Sequence, residues 1–186
     1  MSFENAYVKT MQNEGLVSND SVDPGGLTFM GISKVFWPSW EGWDLLEASG
    51  YKQTPSIESA VKRFYRLNFW NQILGDDIDS LSNIVAEKLF DTAVNMGVNK
   101  AVVFFQDAMN LLNVTGSLYP DIEVDGNIGS KTISTFRRYL SYDSPGKDLY
   151  IARLLKVMTI LQGHFYIEQM RKYPKKEKFR GWFDRA

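Results

Sequence analysis

"NEGLVSNDSVDPGGLTFMGIS" (Asn13–Ser33) interrupts a chain otherwise written in helical period. Ahead of it, Phe3, Ala6, Tyr7 and Met11 recur at three- and four-residue spacing, one apolar face of a helix. Glu14-Gly15 reads as the end of that helix, because glycine readily takes the left-handed conformation that closes helices. Residues 16–32 concentrate Asn, Asp, Ser, Pro and Gly and read as loop, within which "LTFMGIS" supplies a short strand or hairpin arm. Behind the loop the helical pattern resumes. "TPSIESAVKRFYRLNFWNQI" opens with Thr54 as N-cap and Pro55 at the first helical position, with an apolar stripe through Ile57, Val61, Phe64 and Leu67 or Tyr65. "SNIVAEKLFDTAVNMG" is a helix capped by Ser82 and closed by Gly97, and "NKAVVFFQDAMNLL" follows with Asn99 as its cap. "YPDIEVDGNIGS" is a turn cluster before a helix at roughly 130–140, and "KDLYIARLLKVMTILQGHFYIEQMRKYP" is a long helix ended near Pro174. The pattern predicts a mainly α fold with a small irregular or β lobe near the N-terminus.

With 186 residues the chain suits one domain or two small ones packed together, and it can bury a core without covalent staples. A net charge of −1 gives no reason to expect nucleic acid as a partner, and the chain reads as a monomer. The absence of cysteine removes disulfides, thiolate zinc sites and cysteine nucleophiles together. The single histidine, His164, cannot build a His-x-x-His zinc site. No Gly-x-Ser-x-Gly stretch accompanies it, and there is no Gly-rich phosphate loop. The expectation is therefore chemistry by carboxylates alone, with no cofactor. The opening "MSFENAYVKTMQNEG" has no basic-then-apolar leader pattern, and no apolar run approaches a membrane span. The expected location is synthesis in the cytoplasm, with action outside the membrane after release.

A carboxylate at a helix C-terminus faces the negative end of the macrodipole, unfavourable by about 0.3–1 kcal/mol when exposed. That field, and burial in a cleft, favour the protonated form of Glu14. A carboxyl kept neutral near pH 7 can protonate a leaving oxygen, as glycoside hydrolysis requires, with a second acid that stays ionised. Asp20 and Asp23 both stand in the hydrated loop and either can be that second acid. Thr28 adds a hydroxyl able to share a water with it. Taken alone, the same residues also fit a solvated glutamate at a frayed helix end and an ordinary Asp-Pro-Gly-Gly turn.

These residues together resemble the opening motif of glycoside hydrolase family 108, the lysozyme-like N-acetylmuramidases. That motif runs approximately Glu-Gly-Gly, a short polar loop, Asp-x-Gly-Gly-x-Thr, then Gly-Ile. Glu14, Gly15, Asp23, Gly25, Gly26, Thr28, Gly31 and Ile32 match it in order. Tyr65 and Trp70 in "YRLNFWNQI", and Phe90, Asp91, Val94, Asn95 and Gly97 in "LFDTAVNMG", are similar to the same family. "VDGNIGSKT" and "FRGWFDR" resemble the peptidoglycan-binding helical region usually found behind the catalytic part. The resemblance implies a lysozyme-like helical fold, with a catalytic region over 1–97 and a peptidoglycan-binding region over 98–186 packed on it. It implies hydrolysis of the β-1,4 bond between N-acetylmuramic acid and N-acetylglucosamine, with Glu14 as general acid and Asp23 and Thr28 beside it. Leu16 and Met30 depart from the motif, standing where the family carries a second glycine and often a tyrosine. The rival expectation is a non-catalytic peptidoglycan-binding or export-accessory protein.

For sugar contacts, Phe29 offers a flat apolar face, and Asp91 and Asn95, one helical turn apart, share a face on which an amide can meet an N-acetyl group. The same pair can equally satisfy backbone groups. Trp37, Trp40 and Trp43 in "VFWPSWEGWD" are candidates either for a groove or for the core, and Tyr65 and Trp70 read as core. The tail from Arg171 carries seven basic residues against Glu177 and Asp184 and reads as a solvated surface, or as a contact for anionic wall polymer.

Overall fold

The computed structural model describes residues 2–11, 17–18, 27–141 and 146–184. Among them are eight α-helices and one three-stranded antiparallel sheet. The order is α1 (Ser2–Met11), β1 (Val17–Ser18), β2 (Thr28–Phe29), β3 (Ile32–Ser33), α2 (Gly42–Ala48), α3 (Pro55–Tyr65), α4 (Gly75–Leu81), α5 (Asn83–Met96), α6 (Val98–Leu111), α7 (Ser130–Ser141) and α8 (Lys147–Lys172). Two short 3₁₀ turns, Pro174–Lys178 and Arg180–Asp184, follow α8. The mainly α, lysozyme-like class with a small β lobe is the architecture found.

Local chemistry sets most of these boundaries. Thr54 Oγ1 accepts from Ile57 N at 3.3 Å, and Pro55 takes the first position of α3, where its missing N–H costs nothing. Ser82 caps α5 through Val85 N. Gly97 at φ +87° closes α5 and at the same time stands as the cap of α6. Asn99, expected as that cap, lies inside α6 and directs its Nδ2 to the carbonyl of Asp125 instead. The reason is backbone room: the link between the two helices is a single residue in a conformation open to glycine, so no separate capping residue fits between them. The long helix ends at Lys172, and Pro174 starts a 3₁₀ turn, since its ring cannot continue an α-helix.

The core is aromatic at its N-terminal end. Phe3 on α1 meets Trp70 and Phe90 at 5.7 and 5.8 Å between ring centroids. Trp70 is fully buried, donates Nε1 to Asp76 Oδ1 at 2.9 Å, and lies against Gly75, where a Cβ would come within 2.3 Å of its ring. Truncating such a residue costs about 3–5 kcal/mol. Tyr65 and Trp70 are core residues, as their spacing indicated. One cluster of buried side chains runs from Phe3 on α1 to Met158 on α8, so residues on both sides of Gly97 share it.

The apolar stripe of α3 departs from the expected period at one place. Ile57, Val61, Phe64 and Tyr65 are buried, but Leu67 is 51% exposed. At Arg66–Trp70 the helix widens to a π turn, in which Asn71 N donates to the carbonyl of Arg66. Five residues per hydrogen-bonded step instead of four rotate the following side chains. Trp70 is carried inward, while Leu67 at the start of the turn is exposed.

Candidate active site

The sheet lobe is built of two-residue strands in direct register. In β2, Phe29 pairs with Val17 and Ile32, while Thr28 pairs with Ser18 and Ser33. Directly paired residues share a face and neighbours alternate. Phe29 and Ile32 therefore go to the core, at 3% and 0% exposed, with the Phe29 ring stacked 6.5 Å from that of Trp40. The flat apolar face expected of Phe29 is turned inward, leaving almost none of its surface to a ligand. Thr28 is half-buried on the opposite face. The turn joining β2 to β3 is Met30-Gly31, with φ +46° and +79°. Two successive positive φ values match the tight hairpin turn whose twist suits flanking strands. Met30 holds this conformation with its carbonyl accepting from the Tyr65 hydroxyl at 2.6 Å, which ties the hairpin tip to the end of α3.

Asp91 and Asn95 stand one turn apart on α5, both half-buried. Asn95 Nδ2 donates to the Asp91 carbonyl at 2.8 Å and to Asp91 Oδ1 at 3.3 Å. The structure thus brings these two together. One turn earlier, Lys88 Nζ donates to Gln162 Oε1 on α8 at 2.8 Å, and Gln162 Nε2 donates to the Tyr166 hydroxyl at 2.9 Å. Burial lowers the Lys88 ammonium from its ordinary range, with the Asp91 charge acting in the other direction. Lys88 and Gln162 were missed at the sequence level, because a long-range bond between α5 and α8 leaves no mark in either helical period. Glu14, Asp20 and Asp23 lie outside the described residues. The described part of α1 reaches Met11.

A second feature is a cleft of about 510 Å³ between the loop after β3 and the end of α3. Phe36, Trp37 and Trp40 face Phe64 and Leu67 across it, with Glu41, Arg63 and Asn68 among its polar walls. Trp37 meets Phe64 edge-on at 4.9 Å, and Trp40 packs between Trp43 and Phe64 at 5.0 and 6.0 Å. Arg63 Nη1 donates to Glu41 Oε1 at 3.0 Å. Of the three tryptophans that the sequence left between groove and core, Trp43 is core and Trp37 is exposed. The turn cluster at Asp125 is tied together through its own carboxylate. Asp125 Oδ1 accepts from Asn127 N and Gln106 Nε2, and these bonds hold its carboxyl below the usual carboxylate range. Among the described residues no three His, Cys, Asp or Glu side chains converge to hold a metal. None of their helices is long and apolar enough to cross a membrane.

Residues 7–97 match the family model described as Glycosyl hydrolase 108, and residues 100–186 match the one described as Predicted Peptidoglycan domain. The solved structure of SagA from Brucella abortus is similar at 25% identity and a TM-score of 0.59, covering 96% of this chain and 88% of that one. No curated protein matches the chain significantly in sequence. The first half of the chain thus carries a region of the glycosyl hydrolase 108 type and the second half a peptidoglycan-domain region, together supporting a glycosidase of the peptidoglycan-hydrolase type.

Proposed function

We propose that this glycosidase is an N-acetylmuramidase, cleaving the β-1,4 bond between N-acetylmuramic acid and N-acetylglucosamine in the wall. The observation that carries the reading is the family match over residues 7–97, which contains the whole Glu14 to Thr28 motif. Glu14 is the general acid that protonates the glycosidic oxygen as positive charge develops on the sugar ring. Asp23, or Asp20 in its place, remains ionised and either stabilises that charge or orients a water. Thr28 supports the reading by its position, half-buried on the face of the sheet opposite the core. Asp91 and Asn95 are the proposed polar contacts to an N-acetyl group, through atoms other than the Asn95 Nδ2 hydrogens already directed to Asp91. Peptidoglycan lies outside the cytoplasmic membrane, so the chain acts after release from the compartment in which it is made.

The test is a reducing-end assay on purified peptidoglycan with the parent and Glu14→Gln. The parent releases reducing ends that end in N-acetylmuramic acid, and Glu14→Gln lowers the rate by roughly 10²–10⁴-fold, the range of general acid catalysis, at unchanged melting temperature. A Glu14→Gln variant that digests the wall at the parent rate removes Glu14 from the role. A parent that binds peptidoglycan without releasing any reducing ends leaves the rival, a wall-binding or export-accessory protein.

A further inference from the structure

We propose that the aromatic cleft between the loop after β3 and the end of α3 is a second saccharide subsite, gripping the glycan strand with none of the residues assigned to cleavage. The identity of the strand rests on the reading of the chain as a wall-glycan hydrolase. The binding itself rests on the cleft.

A pyranose has an apolar C–H face and a rim of hydroxyl and amide groups. The cleft offers the complement. Phe36 is 71% exposed, Leu67 51% and Trp37 39%, and all three line the same concavity. Single exposed apolar residues are ordinary, but convergence of several in one hollow is not. Ser39, Glu41, Arg63 and Asn68 supply donors and acceptors around them. Arg63 and Glu41 neutralise one another at 3.0 Å, so the wall they form suits a neutral amphipathic ligand over an anionic polymer. The volume of about 510 Å³ falls in the ordinary range for small-ligand sites.

The cleft is also held in shape against local packing preference. Leu67 and Asn68 line its wall from within the π turn, a departure from helical geometry that recurs at functional sites. Asn68 Nδ2 donates to the Phe64 carbonyl at 2.9 Å inside that turn. Trp37 is fixed by the edge of Phe64 and by Trp43 Nε1, which donates to its carbonyl at 2.7 Å. Trp40 Nε1 is buried without an acceptor among the described residues. Rings already immobilised lose little freedom when a ligand stacks on them.

The probe is chitohexaose, the β-1,4-linked hexamer of N-acetylglucosamine, titrated calorimetrically into parent, Phe36→Ala and Trp37→Ala. The same three proteins are assayed for reducing ends on purified peptidoglycan. Each variant is expected to bind the hexamer roughly tenfold more weakly and to raise KM by a similar factor with kcat unchanged. Phe36 is too exposed to hold the fold, so its variant melts with the parent and guards against misreading an unfolded Trp37→Ala. Equal hexamer affinity in all three proteins, or no hexamer binding by any, overturns the subsite and leaves the cleft to a different kind of partner. The two readings fail separately. Weakened hexamer binding without any reducing ends from the parent refutes the muramidase and keeps the subsite, whereas cleavage with unchanged binding and KM does the reverse.

Discussion

Tyr65→Phe removes a hydrogen bond that ties the hairpin tip to the helical body. Tyr65 is 2% exposed, and its ring packs against Tyr7, Phe64 and Phe69 at 5.9, 5.4 and 5.6 Å. Phenylalanine keeps all of that contact and removes the hydroxyl that donates to the Met30 carbonyl at 2.6 Å. The net worth of such a bond is about 0.5–1.5 kcal/mol, and a half-buried carbonyl regains part of its solvation from water. The expected loss of stability is therefore about 1 kcal/mol, or roughly 2–4 °C in melting temperature for a chain of this size. Activity is expected to fall further than stability. Met30 sits two residues from Thr28, in a turn whose first residue holds φ +46° without being glycine. A non-glycine residue there is strained by about 1–2 kcal/mol. Releasing its carbonyl lets the turn relax, and with it the strand that carries Thr28. A displacement of about 1 Å at a positioning group can cost on the order of 10²-fold in rate. The assay is reducing-end release from peptidoglycan far below the melting temperature, beside a thermal melt. A variant that melts about 1 kcal/mol lower but cleaves at the parent rate refutes the link between hairpin tip and Thr28. A variant indistinguishable in both refutes the anchor itself.

Gly97→Ala is expected to destabilise by about 1–3 kcal/mol, read as a lower denaturant midpoint at unchanged slope. No atom lies within 4 Å of a Cβ there, so the whole effect comes from φ +87° at the shared end of α5 and α6. Alkaline pH gives a third check. Burial pushes the Tyr7 and Tyr139 hydroxyls up to about 12 and raises Tyr119 as well. A folded-state pKa above the unfolded value of 10 means stability is fully present below pH 10 and is lost as pH rises through about 12. The melting temperature should hold up to about pH 10 and then drop together with the appearance of phenolate absorbance. Tyr139→Phe should make that drop shallower.

Where a helix announces itself by period and cap, the sequence was sufficient. Thr54-Pro55, Ser82 and Gly97 each satisfy a local requirement of a helix end, and each is found at one. "LTFMGIS" was legible as a short strand or hairpin arm, but not as two arms turned at Met30-Gly31. Nor was it legible which face of β2 is wet. Two-residue strands give no period to count, so Phe29 and Thr28 could not be sorted until the core against them was seen. The short helices α2 and α4 also escaped, at seven residues each, since two turns carry too few apolar positions to define a stripe.

Pattern reading left Leu67 or Tyr65 as the last position of the α3 stripe, and Tyr65 is the buried one, which bears on function. Nothing in "VKRFYRLNFW" signals the π turn that follows. The turn follows from what surrounds it. Trp70 must enter the core over Gly75, with its Nε1 on Asp76, and Arg66 reaches the other oxygen of the same carboxylate at 3.0 Å. Both ends of the five-residue step are therefore held by one aspartate on α4. Widening the helix between them is the way to bring Trp70 inward, and Leu67 within the same turn lines the cleft. The exposed aromatic cleft is thus coupled to the most buried tryptophan of the fold. Asp76→Ala should loosen the two together: it leaves the buried Trp70 Nε1 without its acceptor at about 1–3 kcal/mol, and it weakens hexamer binding although Asp76 does not line the cleft. Hexamer affinity equal to the parent, in a variant that melts lower, would separate the cleft from the core beneath it.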